Sequence, residues 1–343
     1  MSYIAYLGTN SVRGSRGIYT LRLEDNGALT LLGTTPARDS GYLCLNSAGT
    51  HLYAAVESMV LDGKAAGGIA DYRVGPNSLP QFQKRYPAAG QLTCHVSCDD
   101  RYVYASSYLA GLVTVYPLTE DGTLLPACHV IRHSRTDGAD PHIHCAKPTE
   151  DGRFLCVVEV GYHAVCLYDL QTFQKVCELR TPPVRPRQVV CCKDRIYCIT
   201  EGGKTVLVLR YAPDEEQKLS LLQTESILPP ELEGQGASGG IRRYGETLFC
   251  AVRGADRISV LRINGEDGLV RRTGCFPAGG DCPRDFNVSP DGRWLLVGLQ
   301  KADRMSVLAV DPKTGSLTPT EFFLPVPSCS CVEFSLSKGG HAQ

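Results

Sequence analysis

The sequence predicts an all-β fold, a single seven-bladed β-propeller domain over residues 1–343. Three observations predict it. One short strand pattern recurs seven times along the chain. Its copies fall roughly 40–50 residues apart, the spacing of propeller blades. No long stretch carries a 3.6-residue apolar period, so helix is expected to be nearly absent.

The repeat is clearest in GIYTLRL (17–23), GIADYRV (68–74), LVTVYPL (112–118), AVCLYDL (164–170), TVLVLRY (205–211), RISVLRI (257–263) and MSVLAVD (305–311). Ahead of six of these stands a run of small and branched apolar residues ending near a polar one: LYAAVE (52–57), VYASSY (103–108), LCVVEV (155–160), IYCITE (196–201), LFCAVR (248–253) and LLVGLQ (295–300). Such side chains suit strands covered on both faces. EDNGALTLL, TEDGTLLP, NGEDGLV and DPKTGSLTP carry the Asn-Gly, Asp-Gly and Gly signals of hairpins feeding an outermost strand. NSAGTHL, TEDGRFL and SPDGRWL are the turns that follow the innermost strands. The missing seventh copy of this preceding run is YIAYLGT (3–9), directly before GIYTLRL, and the innermost strand beside it is SCVEFS (330–335) at the other end. The ring is therefore expected to close by pairing both chain ends in one blade, which hides edges that would otherwise recruit other chains.

Composition narrows the function. The chain is 43% hydrophobic and 21% charged, with a formal net charge of −1. A near-neutral surface argues against non-specific nucleic-acid binding, and no apolar run is long enough for a membrane span. MSYIAYLGTNSVRGSRG reads as a strand and not as an export signal. Among sixteen cysteines, Cys156, Cys166, Cys198 and Cys250 sit in strand runs as small hydrophobes. Cys191-Cys192 and Cys329-x-Cys331 lack the paired spacing of a zinc site. The expectation is a protein of the reducing cytosol with no metal and no cofactor.

Candidate site residues come from aligning the blades on their turns. Five residues before the turn, at the start of the innermost strand, stand His144, Arg187 and Arg284, with His95 displaced by one position. The next strand ends at Glu57, Tyr108, Glu201, Arg253 and Gln300, with Glu159 one residue early. Adjacent strands in a blade are antiparallel, so both sets belong to one rim. Histidine or glutamate moves protons, and arginine holds anions or a developing oxyanion. His129, His133, His163 and His341 read as satisfied surface residues. GQGASGG (234–240) reads as a loop over the mouth, since no phosphate-loop signature or helix follows.

At these residues the chain resembles the seven-bladed lactonases, the family of bacterial 6-phosphogluconolactonases and fungal carboxy-muconate lactonizing enzymes. The resemblance runs nearly end to end through YLGTN, LYAAVE, CHVS, PHIH, PRQVV, CITE, the IR…VRG stretch and CPRDFNVSPDGRWLLVGLQ. It implies a lactone opened by water, or closed by proton transfer, with His144 as acid/base and Glu201, Arg187 and Arg253 beside it. His95, His142, Arg242, Arg284, Glu57 and Gln300 are then expected to bind a small anionic lactone. Gly41, Gly240 and Leu299 depart from the family's Ser, Glu and Asn at those places, which bears on substrate identity. Hydrolysis of a sugar-acid lactone is the leading expectation. Rival readings are a cycloisomerase using the same residues, a metal-dependent lactonase with Glu57, Glu159 or Glu201 as ligands, and a protein-binding platform. The last commonly carries Trp-Asp repeats, whereas Trp294 is the sole tryptophan here.

Overall fold

A computed structural model describes residues 2–61, 64–135 and 137–335; His341 lies outside them. Their strands form seven four-stranded antiparallel sheets, the blades of one propeller ring, and the one helical element among the described residues is a 3₁₀ turn at Pro230–Leu232. The innermost strands, blade by blade, are Cys329–Phe334, Tyr42–Leu45, Thr93–Cys98, Ile143–Pro148, Pro186–Cys192, Ala237–Tyr244 and Pro283–Val288. Among the described residues no helix is long and apolar enough to cross a membrane.

Blade 1 is assembled from both ends of the chain. Cys329–Phe334 pairs with Tyr3–Thr9, Leu7 facing Val332 and Tyr6 facing Glu333, as the missing strand copy predicts. The other blades are each built from consecutive strands. Apolar clusters lie between blades. Val158, Val165 and Leu167 of blade 4 pack with Ile196, Leu207 and Leu209 of blade 5. Leu296, Met305 and Val307 of blade 7 pack with Ala5, Leu21 and Val332 of blade 1.

Two expectations need correction. His133 is buried, not a surface residue: its Nδ1 lies 2.9 Å from Glu159 Oε2 and its Nε2 2.8 Å from the Tyr168 hydroxyl. This contact ties the end of blade 3 to blade 4 and engages Glu159, fully buried, whose other oxygen accepts from His142 N and Gly161 N. His51 and Asp71 form a similar tie at 2.8 Å, with Asp71 also accepting from Leu124 N across to blade 3. The second half of GQGASGG is not loop, because Ala237–Tyr244 is the innermost strand of blade 6. A Cβ at Gly239 would stand 2.7 Å from the Pro283 carbonyl oxygen. That glycine serves the approach of two inner strands and not a phosphate. His129, at the start of the outermost strand of blade 3, and His163, in a turn, are half-buried.

Ending the chain after Val326 removes the strand that closes blade 1. The shortened protein is expected to lose its cooperative thermal transition and to elute as aggregate in size-exclusion chromatography. A single sharp melt of a monomer would contradict closure as a requirement.

Candidate active site

The site is built by one backbone irregularity repeated around the ring. In five blades the pairing of the innermost strand with its neighbour slips at the same place: between Thr93 and His95, Ile143 and Cys145, Pro186 and Gln188, Ser238 and Ile241, and Pro283 and Asp285. The residues left out of the ladder are Cys94, His144, Arg187, the pair Gly239 and Gly240, and Arg284. In blade 1 the same slip passes over Ser330. A bulge frees its extra residue from strict alternation and re-aims the side chain. Several inner strands also begin just after a left-handed residue: Leu92 (φ 56°), Arg185 (φ 58°), Cys282 (φ 62°) and Ser328 (φ 51°). The chain thus turns sharply into the channel immediately before each bulge.

Ser330, Cys94, Arg187 and Arg284 from the bulges line a narrow recess, with Gly41, Tyr42, Glu57, Gln188 and Asp285 completing its wall. Arg187 is 3% exposed. Its Nη1 donates to the Gly239 carbonyl at 2.6 Å, while Nε has no partner among the described residues. Burial, with Arg284 and Arg253 nearby, brings its pKa down to about 9, so it stays cationic at neutral pH. Arg284 is lowered in the same way, first by burial and then by Arg253. Among the described residues no carboxylate forms an ion pair with Arg187 or Arg284. Glu57 is raised above the usual carboxylate range by burial, against the opposing effects of Asn10 and Arg284.

The other arginines are engaged. Arg253 Nη2 donates to Glu201 Oε1 at 2.6 Å and to the Ser238 carbonyl at 2.8 Å, and Arg185 reaches Glu201 Oε2 at 3.3 Å. Burial would raise Glu201, but Arg187, Arg253 and Arg185 outweigh it and hold the carboxyl below its ordinary range. One residue deeper, Arg242 donates to Asp285 Oδ2 at 2.8 Å and to the Tyr42 hydroxyl at 3.4 Å. Against burial, Asp285 and Tyr42 hold Arg242 above its usual value.

His144 and His95 are both buried, and Nδ1 of each lacks a partner among the described residues. Burial and the charges of Arg187 and Arg284 push His144 well below the ordinary histidine value. Burial with Lys147 and Arg242 does the same to His95, whose ring packs 4.4 Å from that of Tyr42. His142 stands apart at the rim, stacked on Tyr108 at 4.7 Å with Nδ1 donating to the Tyr108 carbonyl. Gln300 Nε2 donates to Asn10 Oδ1 at 3.1 Å. The structure therefore gathers Arg187, Arg284 and Glu57 around the recess, with His144 on the bulge between Cys94 and Arg187. Glu201 and Arg253 are joined beside them, Arg242 and His95 lie a layer below, and His142 and Gln300 stay at the rim. Among the described residues, no three His, Cys, Asp or Glu side chains gather as metal ligands.

Asp285, Gln188 and Tyr42 were missed as site residues. Asp285 and Gln188 each follow a bulge residue directly, as His95 follows Cys94. The one-position displacement of His95 was the signal that could have found them.

Residues 4–334 match the family described as lactonase, 7-bladed beta-propeller. A 6-phosphogluconolactonase of Bacillus subtilis is 28% identical over 97% of this chain and 98% of its own. One of Serratia proteamaculans is 26% identical over 93% and 94%. A periplasmic gluconolactonase of Pseudomonas aeruginosa shares the fold with a TM-score of 0.89 at 24% identity, covering 98% of this chain and 99% of that one.

The two buried histidines give a pH signature. Unfolded, they titrate near 6.5; folded, they remain neutral well below that. Above pH 6.5 neither state gains a proton, so stability is level with respect to these groups. As pH falls below 6.5 the unfolded chain takes up protons first and stability drops, by about 1 kcal/mol per histidine at pH 5.5. Melting temperatures between pH 8 and 5.5 are expected to show this fall, shallower in His144→Gln. Parallel curves for the two proteins would refute the neutral-histidine assignment.

Proposed function

The chain belongs to the seven-bladed β-propeller lactonase family, and from that premise we propose that it hydrolyses an anionic sugar-acid lactone. The observation that carries this reading is the pairing of a buried neutral His144 with two arginines, Arg187 and Arg284, that have no carboxylate partner among the described residues, at equivalent bulges of blades 4, 5 and 7.

In this reading His144 accepts a proton as water adds to the lactone carbonyl. The ring C–O bond then breaks and the proton passes to the leaving ring oxygen. The acid product ionises, so each turnover releases one proton. Arg187, fixed through Nη1 and with Nε unpartnered, supplies the donor for the tetrahedral oxyanion, where a preorganised donor is worth most. Arg284 holds a phosphate or carboxylate of the substrate. Glu201, ionised and tied to Arg253 and Arg185, is a weak base and serves to fix Arg253 at the wall. The 6-phosphogluconolactonase relatives put the phosphorylated lactone first among substrates. Sixteen free thiols suit a reducing cytosol.

Proton release followed with a pH indicator tests the proposal on 6-phosphogluconolactone, gluconolactone, uronic- and aldaric-acid lactones and muconolactone. His144→Ala is expected to lower kcat by about 10²–10⁴-fold, and Arg187→Ala by about 10²–10³-fold. Arg284→Ala is expected to raise KM for anionic lactones most. Silence of the folded protein across this panel would overturn the reading.

A further inference from the structure

We infer that Asp285 and Gln188 read ring hydroxyls of the substrate, and that Gly240 keeps the space in front of Asp285 open for them. The inference rests on the lactone-hydrolysing reading for the chemistry but on separate atoms for its evidence. Asp285 is 2% exposed. Its Oδ2 accepts from Arg242 Nη2 at 2.8 Å and from Val332 N at 3.3 Å, whereas Oδ1 has no donor among the described residues. Gln188 is 3% exposed; its Nε2 points to the Tyr42 hydroxyl at 3.5 Å, and its Oε1 likewise has no donor among the described residues. Both residues line the recess.

A buried polar atom left unsatisfied is costly, so two such oxygens on residues that line one recess call for donors from a ligand. Oxygen acceptors need O–H groups. A polyhydroxylated ring brings them; an unsaturated diacid brings only further acceptors and sets its negative charge against Asp285. The same wall offers Arg187 Nε as an unused donor. Donor and acceptors together fit a ring that carries both a carbonyl or anionic oxygen and free hydroxyls.

Gly240 is the complementary half. It occupies the blade 6 bulge, and a Cβ there would collide with Asp285 Oδ1. Any larger residue would cover the free oxygen. Gly240 is outside the left-handed region, so its backbone admits alanine. Gly41 does the same for Glu57, where a Cβ would stand 2.5 Å from Oε1.

The experiment compares two ligand pairs matched in charge. For turnover, the pair is 6-phosphogluconolactone and a phosphorylated δ-lactone lacking ring hydroxyls. For binding, measured by titration calorimetry whether or not turnover occurs, it is 6-phosphogluconate and 6-phosphohexanoate. The full-length protein is expected to favour the hydroxylated member of each pair by at least about 100-fold, since sites built to hydrogen-bond a hydroxyl reject analogues lacking it. Gly240→Ala and Gln188→Leu are each expected to cut that preference at least about tenfold. Turnover of both lactones at equal kcat/KM, or equal affinity for both acids, would overturn the hydroxyl assignment and leave lactone hydrolysis standing. No turnover with a retained preference for 6-phosphogluconate would overturn hydrolysis and leave the hydroxyl assignment standing. A wild-type preference unchanged in both variants would overturn the roles of Gly240 and Gln188.

Discussion

The apolar clusters of this molecule lie between neighbouring blades. Each blade has two apolar faces and no means of covering either, so it is a stable unit only between two others. Val190, Ile199 and Val208 of blade 5 meet Leu248, Cys250 and Leu261 of blade 6; Tyr53 and Ile69 of blade 2 meet Val103 and Tyr116 of blade 3. The arrangement is satisfied throughout only when the last blade meets the first, at Leu7, Leu21 and Met305. Everything at the mouth depends on that condition. The recess has no wall of its own, and its side chains come from blades fixed in position by packing well away from it.

Within that frame the repeated bulge sets the chemistry. An ordinary inner strand would alternate its side chains toward the two adjacent blades. Slipping the ladder by one residue delivers Cys94, His144, Arg187 and Arg284 to a common level. Collecting cations there is costly: burial with Arg284 and Arg253 lowers Arg187, burial with Arg253 lowers Arg284, and burial with Arg187 and Arg284 keeps His144 neutral. Only Arg253 has a carboxylate in contact. An anionic ligand would relieve this repulsion as it enters, while the water-poor surroundings that strain the site also strengthen its hydrogen bonds.

The ring itself was legible because its causes are local. Apolar strand runs, Asn-Gly and Asp-Gly turns and a fixed repeat length are all properties of short segments, and they placed even the split blade. His144, Arg187 and Arg284 were legible for a related reason, since a repeat lets one position be compared across blades. What escaped was set by contacts far apart in the chain. His133 met Glu159 and Tyr168 across a blade boundary, which no local pattern announces. Gly239 lies in a strand where a Cβ would meet the carbonyl oxygens of Pro283 and Arg284 in the next blade. Asp285 and Gln188 were hidden by the bulge, because a period-two reading assigns the residue after a site residue to the opposite side.

The split blade also fixes an order of events during synthesis. Tyr3–Thr9 leaves the ribosome well ahead of its partner Cys329–Phe334, with all of blades 2 to 7 made between them. At roughly 5–20 residues per second, the wait between them is on the order of half a minute. Blades 2 to 7 are each made of consecutive strands and assemble as they emerge, while the first strand keeps one edge bare throughout. A bare edge pairs with whatever strand is near, and on a crowded polysome the nearest candidate is the same strand of a neighbouring nascent copy. The clasp that gives the finished ring its closure is thus the part of the chain most exposed to misassembly while the protein is being made.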